Sequence, residues 1–196
     1  MSSTSDWTHA NSAGTGNNNN YVLGIRHLSA IASWDHDTLE KQWVLSSEID
    51  SDFTFVAGVA ASGYAEMYNM HDAQQTSNGT VIAFDNGDSR PDAEGGMYSR
   101  GVEYELDFEA MTATLVWEFV TGEYSTHAGA ITKMDNGNYI VAESCDGTIT
   151  TSCNMLVWEV DASGKEVAKV ITPQNGNMGS YRTDPWTSIG GEAILR

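Results

Sequence analysis

Tyr68-Asn69-Met70-His71-Asp72-Ala73-Gln74, followed by Asn78-Gly79-Thr80-Val81-Ile82-Ala83-Phe84-Asp85-Asn86-Gly87-Asp88-Ser89-Arg90, sets the reading of the whole chain. A histidine is followed by a short polar turn, then an apolar β-branched run, then an Asp/Asn/Gly turn carrying an arginine. The same order occurs in outline twice more. His9 in Thr8-His9-Ala10-Asn11 precedes Tyr21-Val22-Leu23, and His127 in Thr126-His127-Ala128-Gly129 precedes Asn136-Gly137-Asn138-Tyr139-Ile140-Val141. The three histidines are 62 and 56 residues apart, so the chain reads as three copies of one unit.

Each unit continues with a strand that ends on an acidic residue, a polar turn, and another strand. Trp34-Asp35 leads into Lys41-Gln42-Trp43-Val44, Leu106-Asp107 into Thr114-Leu115-Val116-Trp117, and Val160-Asp161 into Val167-Ala168-Lys169-Val170. Helix signals are thin: Ser62 to Gln75 has a loose apolar spacing and contains glycine. A repeat of about 55 to 60 residues with four short antiparallel strands predicts a β-propeller blade. One twisted four-stranded sheet cannot cover both of its faces, and stacked blades bury them against each other. A single sandwich or barrel fits the strand count but not the recurring histidine. The expected units are 6–66, 67–122 and 123–173, with 174–196 a closing strand or the start of a further blade. Propellers need about four to eight blades, so about three mark half of a ring, read here as its C-terminal half.

Nine basic against 27 acidic residues give a formal charge of −18. Such a surface repels phosphate backbones, which disfavours nucleic acid as a partner, and it serves solubility. An anionic substrate would need a locally positive pocket. No run of about 18 apolar residues exists, so no membrane span is expected. The first residues, Met1 to Asp6, lack the basic and apolar regions of a secretory signal. The expectation is a cytoplasmic protein or an internal piece whose leader lies upstream. Cys145 and Cys153 flank Asp146-Gly147-Thr148, which suits a hairpin with a disulfide across it in an oxidising compartment, or two inert thiols otherwise.

In a propeller the first strand of each blade lines the axis, so His9, His71 and His127 would converge there. A lone histidine is most simply a satisfied loop residue; three at one phase of a repeat also invite a chemical reading. They suit a metal with an open fourth position, or a nucleophilic histidine with partners that handle a transferred anionic group. The arginines favour the second. There are five, and Arg90 and Arg100 bracket the Gly-rich loop after the second histidine. A guanidinium suits bidentate contact with sulfate or phosphate oxygens. The structural alternatives are Arg90 paired with Asp85 or Asp88, and Arg100 paired with Glu103.

Asp6-Trp7-Thr8-His9-Ala10-Asn11-Ser12, Gly24-Ile25-Arg26-His27, Met70-His71-Asp72, Phe84-Asp85-Asn86-Gly87-Asp88-Ser89-Arg90 and Tyr98-Ser99-Arg100-Gly101-Val102-Glu103-Tyr104, taken in this order, resemble the arylsulfotransferases of the nucleotide-independent type. Asn136-Gly137-Asn138-Tyr139 and Ser180-Tyr181-Arg182 extend the resemblance. It implies a six-bladed propeller that moves a sulfuryl group from a phenolic sulfate ester to a phenol acceptor through a sulfohistidine, with no cofactor and no metal. By motif it makes His127 the nucleophile, with His9, His71 and Arg90 around the sulfate. Arg100 is the alternative to Arg90, and Asn11 and Arg26 give support. Tyr68, Tyr124 or Trp7 would hold the aryl ring, or sit in the core. The family's members are longer and normally exported, so a periplasmic or extracellular location would go with an upstream leader, and a half ring would self-associate or join missing blades. The rivals are a non-catalytic propeller scaffold and a His-ligated metal hydrolase. His27 and His36 fit no repeated phase and read as surface or turn residues.

Overall fold

The computed structural model describes residues 6–61, 63–122, 124–144, 154–173, 188–189 and 192–193. Cys145, Cys153, Tyr181 and Arg182 lie outside them, and so does the expected disulfide. Among the described residues there is no α-helix, and the fold is all-β with antiparallel sheets. The first sheet runs β1 (Ala10–Thr15), β2 (Asn20–Ile25), β3 (Ala30–Asp35) and β4 (Lys41–Ser46), each strand paired with the next. The second holds β6 (His71–Gln75), β7 (Val81–Asp85), β8 (Arg100–Asp107) and β9 (Thr112–Val120) in the same order. A short β5 (Thr54–Val56), within the first unit as the sequence divides it, joins the second sheet in parallel beside β9. The third sheet is β10 (Ala130–Lys133), β11 (Tyr139–Glu143), β12 (Asn154–Val160) and β13 (Glu166–Pro173). The two-residue strands β14 (Ser188–Ile189) and β15 (Glu192–Ala193) pair with each other.

The middle sheet meets a core on each face, which is why its strand β7 reads as a continuous hydrophobic run. Along β7, Val81 and Ala83 pack into a core with Val22, Ile31, Trp43 and Leu45 of the first sheet. Ile82 and Phe84 point the other way, into a core with Ile131, Val141, Leu156 and Trp158 of the third. Alternation along one strand thus joins three sheets face to face. Leu115 and Trp117 share a parity yet enter opposite cores. The register explains it: Tyr104 pairs with Leu115 and Glu103 with Trp117, so Val116 is an extra residue that turns the strand over. Outer pairings of the first and third sheets shift register in the same manner.

The turns repeat as well. Asp35 and Asp107 end the third strand of their sheets and Asp161 directly follows that of the third, and each accepts two backbone N–H groups of the following turn through Oδ1. This is the side-chain-closed turn that makes aspartate a strand terminator. The first hairpins of the second and third sheets close on Gly79 and Gly137, both left-handed at φ 93° and 87°.

Neighbouring sheets are also stitched along their first strands, β1, β6 and β10. Ser12 Oγ accepts the Ala73 N–H at 3.0 Å, and Asp72 Oδ2 accepts the Ile131 N–H at 3.1 Å. His9, Asp72 and Ala128 take left-handed φ of 46°, 52° and 55° near the starts of these strands. The chain is kinked at the same end of all three sheets, and that end carries the histidines.

Candidate functional site

His71 opens β6, buried, and both of its ring nitrogens are engaged. Asn86, at the end of β7, donates its amide to the carbonyls of Ser125 and Ala128, each at 2.9 Å. Its oxygen therefore faces His71 Nδ1, 2.7 Å away, and that nitrogen carries the proton. Nε2 then accepts the Ala128 N–H at 3.1 Å. One imidazole and one amide so fix the backbone on both sides of His127. Burial lowers the His71 pKa to about 4; the Asn86 bond opposes the shift, while the charges of Arg26, His9 and His127 add to it.

This has a measurable consequence for stability. The folded chain takes up the His71 proton only near pH 4, whereas an unfolded histidine does so near ~6.5. The stabilising contribution is complete above pH ~6.5 and is lost as pH falls toward 4, by about 3 kcal/mol in all. An NMR titration should show the His71 ring unchanged between pH 7.5 and 5; a midpoint near ~6.5 would mean that the ring is not held as described.

His127 is half-buried and differently placed. Its Nδ1 meets Thr126 Oγ1 at 2.7 Å, and its backbone oxygen accepts the hydroxyls of Ser125 and Ser144. Among the described residues no group bonds its Nε2. Burial lowers its pKa, the Arg26 charge lowers it further, and Asp88 works the other way. Arg26 leaves the end of β2 and sends Nη2 to Asp88 Oδ2 and to the Thr126 carbonyl, both at 2.9 Å. Its Nε–H is buried and has no hydrogen-bond partner among the described residues. Tyr124 bonds Asp88 through its hydroxyl, which keeps Asp88 turned toward Arg26. A cation, a neutral imidazole and an unused N–H donor thus stand together.

His9 lies at the rim, with its side chain 42% exposed and Nδ1 2.6 Å from Asp6 Oδ2. Its ring centroid is 4.6 Å from that of His27. Asn11 donates to the Met70 carbonyl at 2.8 Å and so anchors β1 to the segment before His71.

Arg90 and Arg100 are elsewhere engaged. Both side chains are fully buried against Asp85, at 2.6 and 2.9 Å, and Arg100 also meets Glu118 at 2.9 Å. Arg90 lies 4.1 Å above the Tyr98 ring. Pairing of Arg90 with Asp85 was one of the sequence alternatives; Arg100 takes Asp85 and Glu118 in place of Glu103, which instead holds Lys133 at 2.7 Å. The cation that acts on both His71 and His127 is Arg26. Tyr68 is buried with its hydroxyl on Glu94, Tyr124 is half-buried on Asp88, and Trp7 is 67% exposed. Asn86, Asp88 and His27 lie within the quoted motifs, but a linear motif does not say which of its members meet another sheet. A cleft of about 590 Å³ is at the opposite end, among Asn17, Gln42, Asn78 and Phe108, and no histidine lines it.

A model of the arylsulfotransferases (ASST) matches residues 1–182, and the chain belongs to that family. No curated protein matches it. A solved structure of a protein of unknown function from Bacteroides caccae is similar in fold, at 11% identity and a TM-score of 0.50. The match covers 83% of this chain and 49% of that one, so the chain spans about half the length of this structural relative.

Proposed function

We propose that the chain supplies three blades of a propeller whose axis is lined by β1, β6 and β10, and that it serves sulfuryl transfer between phenols. The observation that carries the reading is Arg26: among the described residues its buried Nε–H has no partner, and it stands beside a half-buried imidazole whose Nε2 no described group bonds. A chain of −18 charge offers an aryl sulfate few other places to put its oxygens.

In the proposed reaction, Nε2 of neutral His127 forms a bond to sulfur as the bond from sulfur to the phenolic oxygen breaks. Arg26 receives the sulfuryl oxygens. His9 gives its proton to the leaving phenolate and later takes one from the acceptor phenol. The acceptor oxygen then attacks sulfur, and the N–S bond breaks to restore His127. His71 and Asn86 position the loop that presents the nucleophile.

A second reading makes His71 the nucleophile, because its Nδ1 proton is fixed by Asn86 and its Nε2 stays unprotonated down to about pH 4. It would need to release the Ala128 N–H. The metal-hydrolase rival fares worse: both nitrogens of His71 are committed, and neither His71 nor His127 falls in a metal-capable cluster among the described residues. Aryl sulfate turnover should therefore withstand chelators and accelerate with added phenol. Tryptic mapping after exposure to donor alone should place one sulfuryl group on the His127 peptide; label on His71 would select the second reading, and neither turnover nor label would leave the scaffold.

Arg26→Met should lower transfer roughly 10²–10³-fold, the loss of one strong donor to a developing oxyanion. It should also move the acid limb of the pH–rate profile upward, because removing the positive charge raises the His127 pKa. A rate within about threefold of the parent and an unmoved limb would count against Arg26.

A further inference from the structure

We propose a second site that shares His9 with the first: a divalent transition-metal site formed by Asp6, His9 and His27 at the rim. The three side chains each present a ligand atom within 4.8 Å of the other two. This placement is built by the backbone. Beyond the end of the β1–β2 pairing the ladder continues, with the Arg26 N–H on the His9 carbonyl at 3.2 Å and the His27 N–H on the Thr8 carbonyl at 3.1 Å. That holds His9 and His27 across from each other with ring centroids 4.6 Å apart and planes 43° from parallel. Asp6 curls back over them: Oδ1 accepts the His9 N–H at 3.2 Å, Oδ2 lies 2.6 Å from His9 Nδ1, and its carbonyl lies 2.8 Å from His27 Nδ1.

Two imidazoles and one carboxylate, partly open to water, match the donor set of zinc with a vacant position. Imidazole nitrogen favours zinc, nickel or copper over magnesium and calcium, which prefer all-oxygen shells. The acidic surface raises the local concentration of any cation, and the histidines decide which cation stays. Small rotations of Asp6 and the rings, all at the exposed rim, would bring the donors to the usual ~2.0–2.2 Å from the metal. Occupation would tie up His9. Resting on the reaction proposed above, zinc would then inhibit transfer by removing its proton shuttle.

Calorimetric titration of this chain with zinc chloride tests the site directly, whether or not the transfer reading holds. One zinc per chain is expected at pH 7.5. Binding should fall at least about tenfold in each of His27→Ala and Asp6→Asn, a loss typical even of partners one step out from a metal. His36→Ala, which removes an exposed histidine paired with Asp37 outside this cluster, should bind as the parent does. Cobalt(II) absorption of the parent should show nitrogen ligation, and a matching thermal melt should show that each variant is folded. No zinc uptake, or uptake that both substitutions leave within about twofold, would mean cations on scattered carboxylates and would overturn the site.

Discussion

His127→Ala should lower sulfuryl transfer by at least about four orders of magnitude and leave no acid-labile sulfate on the protein, as expected when a covalent nucleophile is deleted. The magnitude follows from how the ring is used. Imidazole can attack sulfur only when it is neutral and its lone pair is unoccupied. At His127 burial and Arg26 favour the neutral form, and in the tautomer whose Nδ1–H donates to Thr126 Oγ1 the lone pair lies on Nε2. Nε2 is left to react. His71 cannot substitute without giving up its bond to the Ala128 N–H. Stopped-flow release of the phenol, with mass analysis of the quenched protein, reads both halves of the prediction. His71→Gln should behave differently: the loop loses its brace, so label still forms on His127 but more slowly. Retention of the label in His127→Ala would move the nucleophile to His71.

The fold was legible because its determinants are local. Gly79 and Gly137 announce left-handed turns, Asp35, Asp107 and Asp161 announce strand ends, and β7 announces burial on both faces by having no polar alternation. The β5 pairing was not legible. Thr54–Val56 carries an ordinary strand signal, and nothing in it says that its partner is β9 in the next sheet. The histidines were legible as a repeat, yet repetition conceals that their environments differ: one buried and braced, one open, one at the rim. The arginines show the limit most clearly. Arg90 and Arg100 stand in prominent motifs, but prominence is equally what a buried ion pair produces, since its members must keep both charge and shape. Arg26 stands in the short motif Gly24-Ile25-Arg26-His27, and its reach to Asp88 and Thr126 is a contact between sheets that no linear pattern encodes.

Asp85→Ala should destabilise the chain by about 3–5 kcal/mol, the cost of leaving buried charge without its partner. Asp85 is fully buried and holds three things at once: the Tyr68 N–H at 2.8 Å, Arg90 at 2.6 Å and Arg100 at 2.9 Å. Without it the two guanidiniums fare unequally. Arg100 keeps Glu118 at 2.9 Å, whereas among the described residues Arg90 keeps only the Glu66 carbonyl at 3.1 Å and the faces of Tyr98 and Tyr68. The uncompensated charge is therefore mainly that of Arg90. Adding Arg90→Met should recover more of the lost stability than adding Arg100→Met, since methionine fills the space without a charge to solvate. Urea unfolding of the three variants, followed by tryptophan fluorescence, gives the comparison. A loss under about 1 kcal/mol for Asp85→Ala would show that water reaches the site and screens it. Equal recovery from either arginine would show that the charge is shared and that Glu118 does not hold Arg100.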